Sequence, residues 1–122
     1  MSAALLPAPM RGEVWLVNFD PSVGNEQRKV RPAVVISSDA IGRLPLYIAV
    51  PVTDWKTHYF DYPWFVELLP LPANGLTKQS GADAFQLKSL DRGRFLKRLG
   101  AITAEETEDV AAAVALCVGF KG

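Results

Sequence analysis

Hydrophobic positions along this chain recur with a period of two or in short unbroken runs, and only the last element repeats at helical spacing. "EVWLVNF", Glu13 to Phe19, is rich in β-branched and aromatic residues and stops at the turn formers of "DPSVGN", which predicts a strand. "PAVVIS", Pro32 to Ser37, is almost continuously apolar, the pattern of a strand buried on both faces. "GRLP" breaks it and "LYIAVPVT" resumes as a strand, in which Pro51 disfavours a fully paired central position. "DWKTHYFDYP" reads as a polar and aromatic loop, "WFVELL" as a strand, and "PLPANGLTKQSG" as a long Pro/Gly-rich connection. "ADAFQLKSL" alternates as one strand, and "RFLKRLGAI" as another short one.

The C-terminal segment has a different period. "TAEE" matches a capping box, with the Thr103 hydroxyl accepting from the Glu106 amide and Glu106 reaching back. Acids in the first turns suit the helix dipole, and Val110, Val114, Cys117 and Val118 follow at helical spacing. An amphipathic helix over about 104–118, laid on about five to six strands, predicts a small β-barrel-like α+β domain. Residues 11–120 form that single domain and residues 1–10 are expected to be a flexible tail.

Composition narrows the picture. The 122 residues are 49% hydrophobic and 21% charged, which is globular, and formal net charge is zero. A nonspecific nucleic-acid coating protein would be basic overall, so any nucleic-acid role has to come from local charge. Charge is in fact segregated: Lys88, Arg92, Arg94, Lys97 and Arg98 stand close together, whereas Glu105, Glu106, Glu108 and Asp109 form an acidic run. One cysteine, Cys117, and one histidine, His58, exclude an internal disulfide and a metal site built from imidazole and thiolate in one subunit. "MSAALLPAP" lacks the basic start and long apolar core of a signal peptide, and no apolar run approaches the roughly 20 residues of a membrane span. A cytoplasmic protein is expected.

"NEQRKVRPAVVIS" places Arg28, Lys29 and Arg31 directly before a buried strand. Pro32 restricts Arg31 to extended backbone angles, and the guanidinium presents a fork of donors that fits two phosphate oxygens. A surface arginine snorkelling beside a strand has the same pattern. Thr53 ends a strand in which Tyr47, Ala49, Pro51 and Thr53 share a face. Its hydroxyl can donate to a phosphate, although a strand-end threonine is more commonly a turn residue.

"RGEVWLVNFDPSVGNEQRKVRPAVVIS", then "AVPVT", then "FQLKSLDRGRF", resembles in order the MazF/PemK family of toxin endoribonucleases. The resemblance runs from Arg11 to Phe120. It implies an SH3-like barrel with a C-terminal helix, usually a homodimer, that cuts single-stranded RNA without a metal or other cofactor. It also implies a cognate MazE-like antitoxin whose acidic C-terminal tail covers the RNA groove. The family's catalytic Arg and Thr fall on Arg31 and Thr53, and "FQLKS" falls beside the active site. Attack by the RNA's own 2′-hydroxyl predicts 2′,3′-cyclic phosphate and 5′-hydroxyl ends. The alternative is a noncatalytic toxin on the same barrel that binds a protein such as DNA gyrase.

Glu26 is the third candidate for the chemistry, as a general base or as a partner of Arg28 or Arg31 that holds the loop. Neighbouring cations lower a carboxylate's pKa, which favours the holding role. Gln27, Arg28, Lys29, Lys56 and Lys78 are candidate RNA contacts in loops, with Gln86 and Lys88 projecting to one face of their strand to meet a base edge and a phosphate. His58 is an exposed loop residue or a base contact, with a catalytic acid as the lesser alternative. Trp55, Tyr59 and Phe60 in the same loop are candidates to stack on unpaired bases, worth about 1–3 kcal/mol each.

Overall fold

Six residues of "EVWLVN" form β1 (Glu13–Asn18), which pairs antiparallel with β2 (Val30–Val35) through Trp15 opposite Ala33 and Val17 opposite Arg31. The structure, a computed structural model, describes residues 7–41 and 44–121. The remaining elements are β3 (Leu46–Asp54), β4 (Phe65–Leu68), β5 (Ser80–Asp83), β6 (Lys88–Asp91), β7 (Phe95–Ala101) and the helix α1 (Ala104–Cys117). All registered pairs are antiparallel, in the order β4-β5-β3-β2-β1-β7, and β6 also pairs with β3.

The sheet has seven strands, against the five or six expected, because "ADAFQLKSL" is two strands and a turn. Both halves run along one edge of β3. β5 pairs with Val52 to Asp54 and β6 with Leu46 to Ala49, and between them the chain carries three extra residues. Asp83 accepts from the Phe85 amide and starts a 3-10 turn over Ala84–Gln86, which lifts the chain off the edge. Opposite the excursion lies Pro51, so the residue without an N–H sits where that edge of β3 has no ladder to break. This is why Pro51 occupies a central, buried strand.

Alternation along the strands makes two cores. Val14, Val34, Val50, Val52, Leu68 and Val110 pack between the sheet and α1. Trp15, Val17, Ala33, Val35, Ala49 and Phe95 pack on the other face, where the Arg92 guanidinium lies 5.2 Å from the Trp15 ring centroid. β2 is therefore covered on both sides, as its continuous apolar run requires. The capping box of α1 is formed in both directions. Its buried stripe is Thr107, Val110 and Ala113, with Val114 and Cys117 half-buried beside it; Val118 falls past the last turn and is exposed, unlike the expected stripe.

Among the described residues no ladder joins β4 to β7, so the sheet is open. The β4–β5 connection bridges the seam instead. The buried Asn74 side chain accepts from the Leu71 and Leu76 amides at 3.1 and 2.9 Å and donates to the Leu69 carbonyl at 2.8 Å. The Ala101 amide then donates to the Ala73 carbonyl. The approach is so close that a Cβ on Gly100 would collide with the Ala73 carbonyl, and one on Gly75 with that of Leu99. Of the expected tail, residues 1–6 lie outside the described residues; Pro7 accepts from Arg92, Pro9 is buried, and Met10 N–H donates to Glu13.

Candidate active site

Arg31 is the second residue of β2 and Thr53 the last but one of β3. Ala33 is registered opposite Pro51, and counting two residues outward on each strand puts Arg31 and Thr53 on one face at neighbouring positions. The floor around them is small: Ala33, Ala49 and Pro51, with Gly81 directly opposite Thr53. Both residues also line a cleft of about 290 Å³ at the open seam, with Pro32, Val52, Lys78 and Leu99. Arg31 is half-buried, and its Nε donates to the Arg28 carbonyl at 3.2 Å. Among the described residues no carboxylate pairs with it, whereas Lys78 and Lys88 are each paired. The cleft thus holds the Arg31 guanidinium beside a hydroxyl, and its lining carboxylate, Asp54, is paired with Lys78 instead. A second cleft of the same volume lies between Met10, Ile41, Leu46 and Tyr47, and among the described residues its charged lining residue is Asp39.

Glu26 does not meet Arg28 or Arg31. Its Oε1 accepts from the Val23 amide at 2.9 Å and from Lys88 Nζ at 3.2 Å. The Val23 N–H first, and the Lys88 ammonium after it, hold this carboxyl below the usual glutamate value. That is opposite to the raised pKa of a general base at neutral pH, and the geometry is that of a loop tie. Arg28 folds back to the Gly24 carbonyl at 2.9 Å. Lys29 takes a positive φ of 62°, its amide donating to Asp20 at 2.9 Å while its carbonyl accepts from Phe19. Gln27 and Gln86 meet through the loop backbone: Gln86 Oε1 accepts from the Gln27 amide and Nε2 donates to the Asn25 carbonyl, both at 3.0 Å. Gln86 therefore comes from the turn between β5 and β6 rather than from the face of a strand. Phe85 is exposed while Leu87 packs on the helix-side core, so the expected alternation fails here as well.

Lys78 pairs with Asp54 at 3.2 Å, next to Thr53. Lys56 and His58 are exposed, at the start of the 3-10 turn Thr57–Asp61. The aromatic loop is turned inward on itself. Trp55 meets Tyr59 and Phe60 edge-on, and Tyr59 stacks on Phe65 with centroids 3.8 Å apart. Trp64 stacks on Tyr62. Only Phe60 of the three expected stacking rings is exposed; Trp55 and Tyr59 are half-buried in the cluster. Gly81 is small for the same reason, since a Cβ there would lie 3.0 Å from the Trp55 ring. Sequence reasoning missed Asp54 and Asn74. The dipeptide Asn74-Gly75 carried a turn signal, but nothing local shows that the turn would form a wall of this cleft.

Residues 10–118 match the family of PemK-like, MazF-like toxins of type II toxin–antitoxin systems. The chain belongs to that family. It is 37% identical over 103 residues to the endoribonuclease MazF9 of Mycobacterium tuberculosis, covering 79% of this chain and 84% of that relative. The crystal structure of MazF from Deinococcus radiodurans superposes with a TM-score of 0.78 at 31% identity, covering 94% of this chain and 100% of that one. A MazE–MazF complex from the same organism has a TM-score of 0.71 at 27% identity, with 95% and 100% covered. The family's α+β architecture is the one described above, with the sheet left open and a loop contact lying across its seam.

Proposed function

We propose that this MazF-family protein is a sequence-specific, metal-independent endoribonuclease toxin that cuts single-stranded RNA. The observation that carries the reading is the unpaired Arg31 guanidinium sharing a face and a cleft with Thr53. RNA supplies the nucleophile: the 2′-oxygen bonds to phosphorus, the bond from phosphorus to the 5′-oxygen breaks, the 2′-proton is lost and the leaving oxygen gains one. The products are a 2′,3′-cyclic phosphate and a 5′-hydroxyl. Arg31 offers its free Nη donors to the non-bridging oxygens as charge builds there, and the Thr53 hydroxyl adds a further donor. Glu26 serves by holding the loop through Lys88.

Lys78 lines the cleft; it, Arg28, Lys29 and Lys56 are assigned to the phosphates, and Gln27, Gln86, Lys88 and exposed His58 are the further residues assigned to the RNA-binding face. A MazE-like antitoxin with an acidic tail would neutralise these same cations, in keeping with the complexes of family members. The active species is a cytoplasmic homodimer. Long single-stranded RNA incubated with the protein in chelator, followed by end mapping, tests the reading: 5′-hydroxyl ends are expected from wild type, and from Arg31→Ala at a rate about a hundredfold to a thousandfold lower. Products with 5′-phosphate, or a strict need for added magnesium, would overturn the chemistry. Toxicity surviving Arg31→Ala but lost on substitutions in α1 would favour the gyrase-binding alternative.

A further inference from the structure

The backbone just before Arg28, Lys29 and Arg31 is clasped from outside by the side chain of Gln86. Gln86 lies about sixty residues away in sequence, yet both ends of its carboxamide bond the backbone at Asn25 and Gln27. Only one orientation of the amide satisfies an N–H on one side and a carbonyl on the other, so the contact has a defined sense. Gln86 reaches the loop because the chain leaves β3 opposite Pro51 and turns at Asp83, with Ala84 fully buried as the pivot. Two residues on, Lys88 fastens the same loop through Glu26. From the clasped backbone the path to the reacting groups is short, because the Arg28 carbonyl accepts from Arg31 Nε.

We infer that Gln86 is a positioning residue: its carboxamide sets the 25–28 backbone and, through the Arg28 carbonyl, the aim of the Arg31 guanidinium, and it does not read a nucleobase. Each end of the carboxamide already holds a backbone partner, which fixes its plane against the loop and leaves one N–H and one lone pair rather than a free amide edge. The consequence for catalysis rests on the endoribonuclease reading above; the clasp itself does not.

The experiment uses the full chain with Gln86→Ala, Gln86→Glu, Arg31→Ala and the Arg31→Ala/Gln86→Ala double variant. Gln86→Glu keeps the acceptor for Gln27 but sets a carboxylate oxygen against the Asn25 carbonyl, so it tests the clasp even if the alanine variant folds poorly. Single-turnover cleavage should slow about tenfold to a hundredfold in both Gln86 variants, the cost of a slightly misplaced group. KM should stay within about threefold and the cleaved sequence should not change. The double variant should be no slower than Arg31→Ala by more than about threefold, since a residue acting through Arg31 has nothing left to position. In parallel, hydrogen exchange at the Glu26 and Lys29 amides, whose own acceptors are untouched, should speed up about tenfold, while core amides of β2 and β3 hold. A changed cleavage sequence at undiminished rate would assign Gln86 to base reading and overturn the inference, as would independent losses in the double variant or unchanged exchange. If wild type cut no RNA, the functional reading would fall while the exchange measurement still judged the clasp.

Discussion

Replacing Asn74 by alanine removes the knot that keeps the β4–β5 connection across the open seam. Three hydrogen bonds go. The bond to the Leu76 amide is buried, and stranding that donor costs about 1–3 kcal/mol. The bonds to Leu71 N–H and Leu69 C=O are only partly buried, so water replaces them at about 0.5–1 kcal/mol each. The sum is about 2–5 kcal/mol, which for a domain of this length lowers Tm by about 6–20 °C. Thermal and urea melts read it, with an unchanged m-value marking a loss of stability rather than a new unfolded state. Asn74→Asp keeps the oxygen that accepts from both amides but presents a carboxylate to the Leu69 carbonyl, and should fall between alanine and wild type. Leu76 and Lys78 form part of the cleft wall and follow this turn, so cleavage should weaken at temperatures where the fold persists. A fall in Tm below about 2 °C with cleavage intact would show that the seam is held by something other than Asn74.

Arg31→Lys keeps the charge but loses the fork, so single-turnover cleavage should drop about tenfold to a hundredfold with the melt unchanged; a wild-type rate would mean that charge alone suffices. Asp54→Asn frees Lys78 from an exposed ion pair, which should tighten binding of a 2′-deoxy substrate analogue about twofold to fivefold at low salt and steepen the salt dependence by about one phosphate contact. No change in slope, or the same gain in a background of Lys78→Ala, would refute that pairing. The Glu26 carboxyl has a folded-state pKa depressed by the Val23 amide and then by Lys88; its hold on the loop is complete above the ordinary glutamate value of about 4.3 and is lost as pH falls through the lower folded value. An NMR titration should place the Glu26 midpoint below that of free glutamate, with the Val23 amide shift following the same curve; a midpoint at or above it would remove the tie.

Local physics made much of this fold readable in one dimension. Period-two alternation defines β1, β3 and β7, an unbroken apolar run announces a strand covered on both faces, and Thr103 with Glu106 marks the start of α1, because each depends on neighbours within one or two turns of chain. The shared face of Tyr47, Ala49, Pro51 and Thr53 follows from the same alternation, and the extended conformation expected of Arg31 from the ring of Pro32. Other features came only with tertiary contacts. The break between β5 and β6 depends on β3 presenting a proline to that edge, and the partner of Glu26 on a lysine sixty-two positions away. The inward packing of Trp55 and Tyr59 depends on the empty space at Gly81. A side chain's chemistry is written at its own position, but which group it meets is decided by strand register and by where a loop crosses an open seam, and those are properties of the folded chain as a whole.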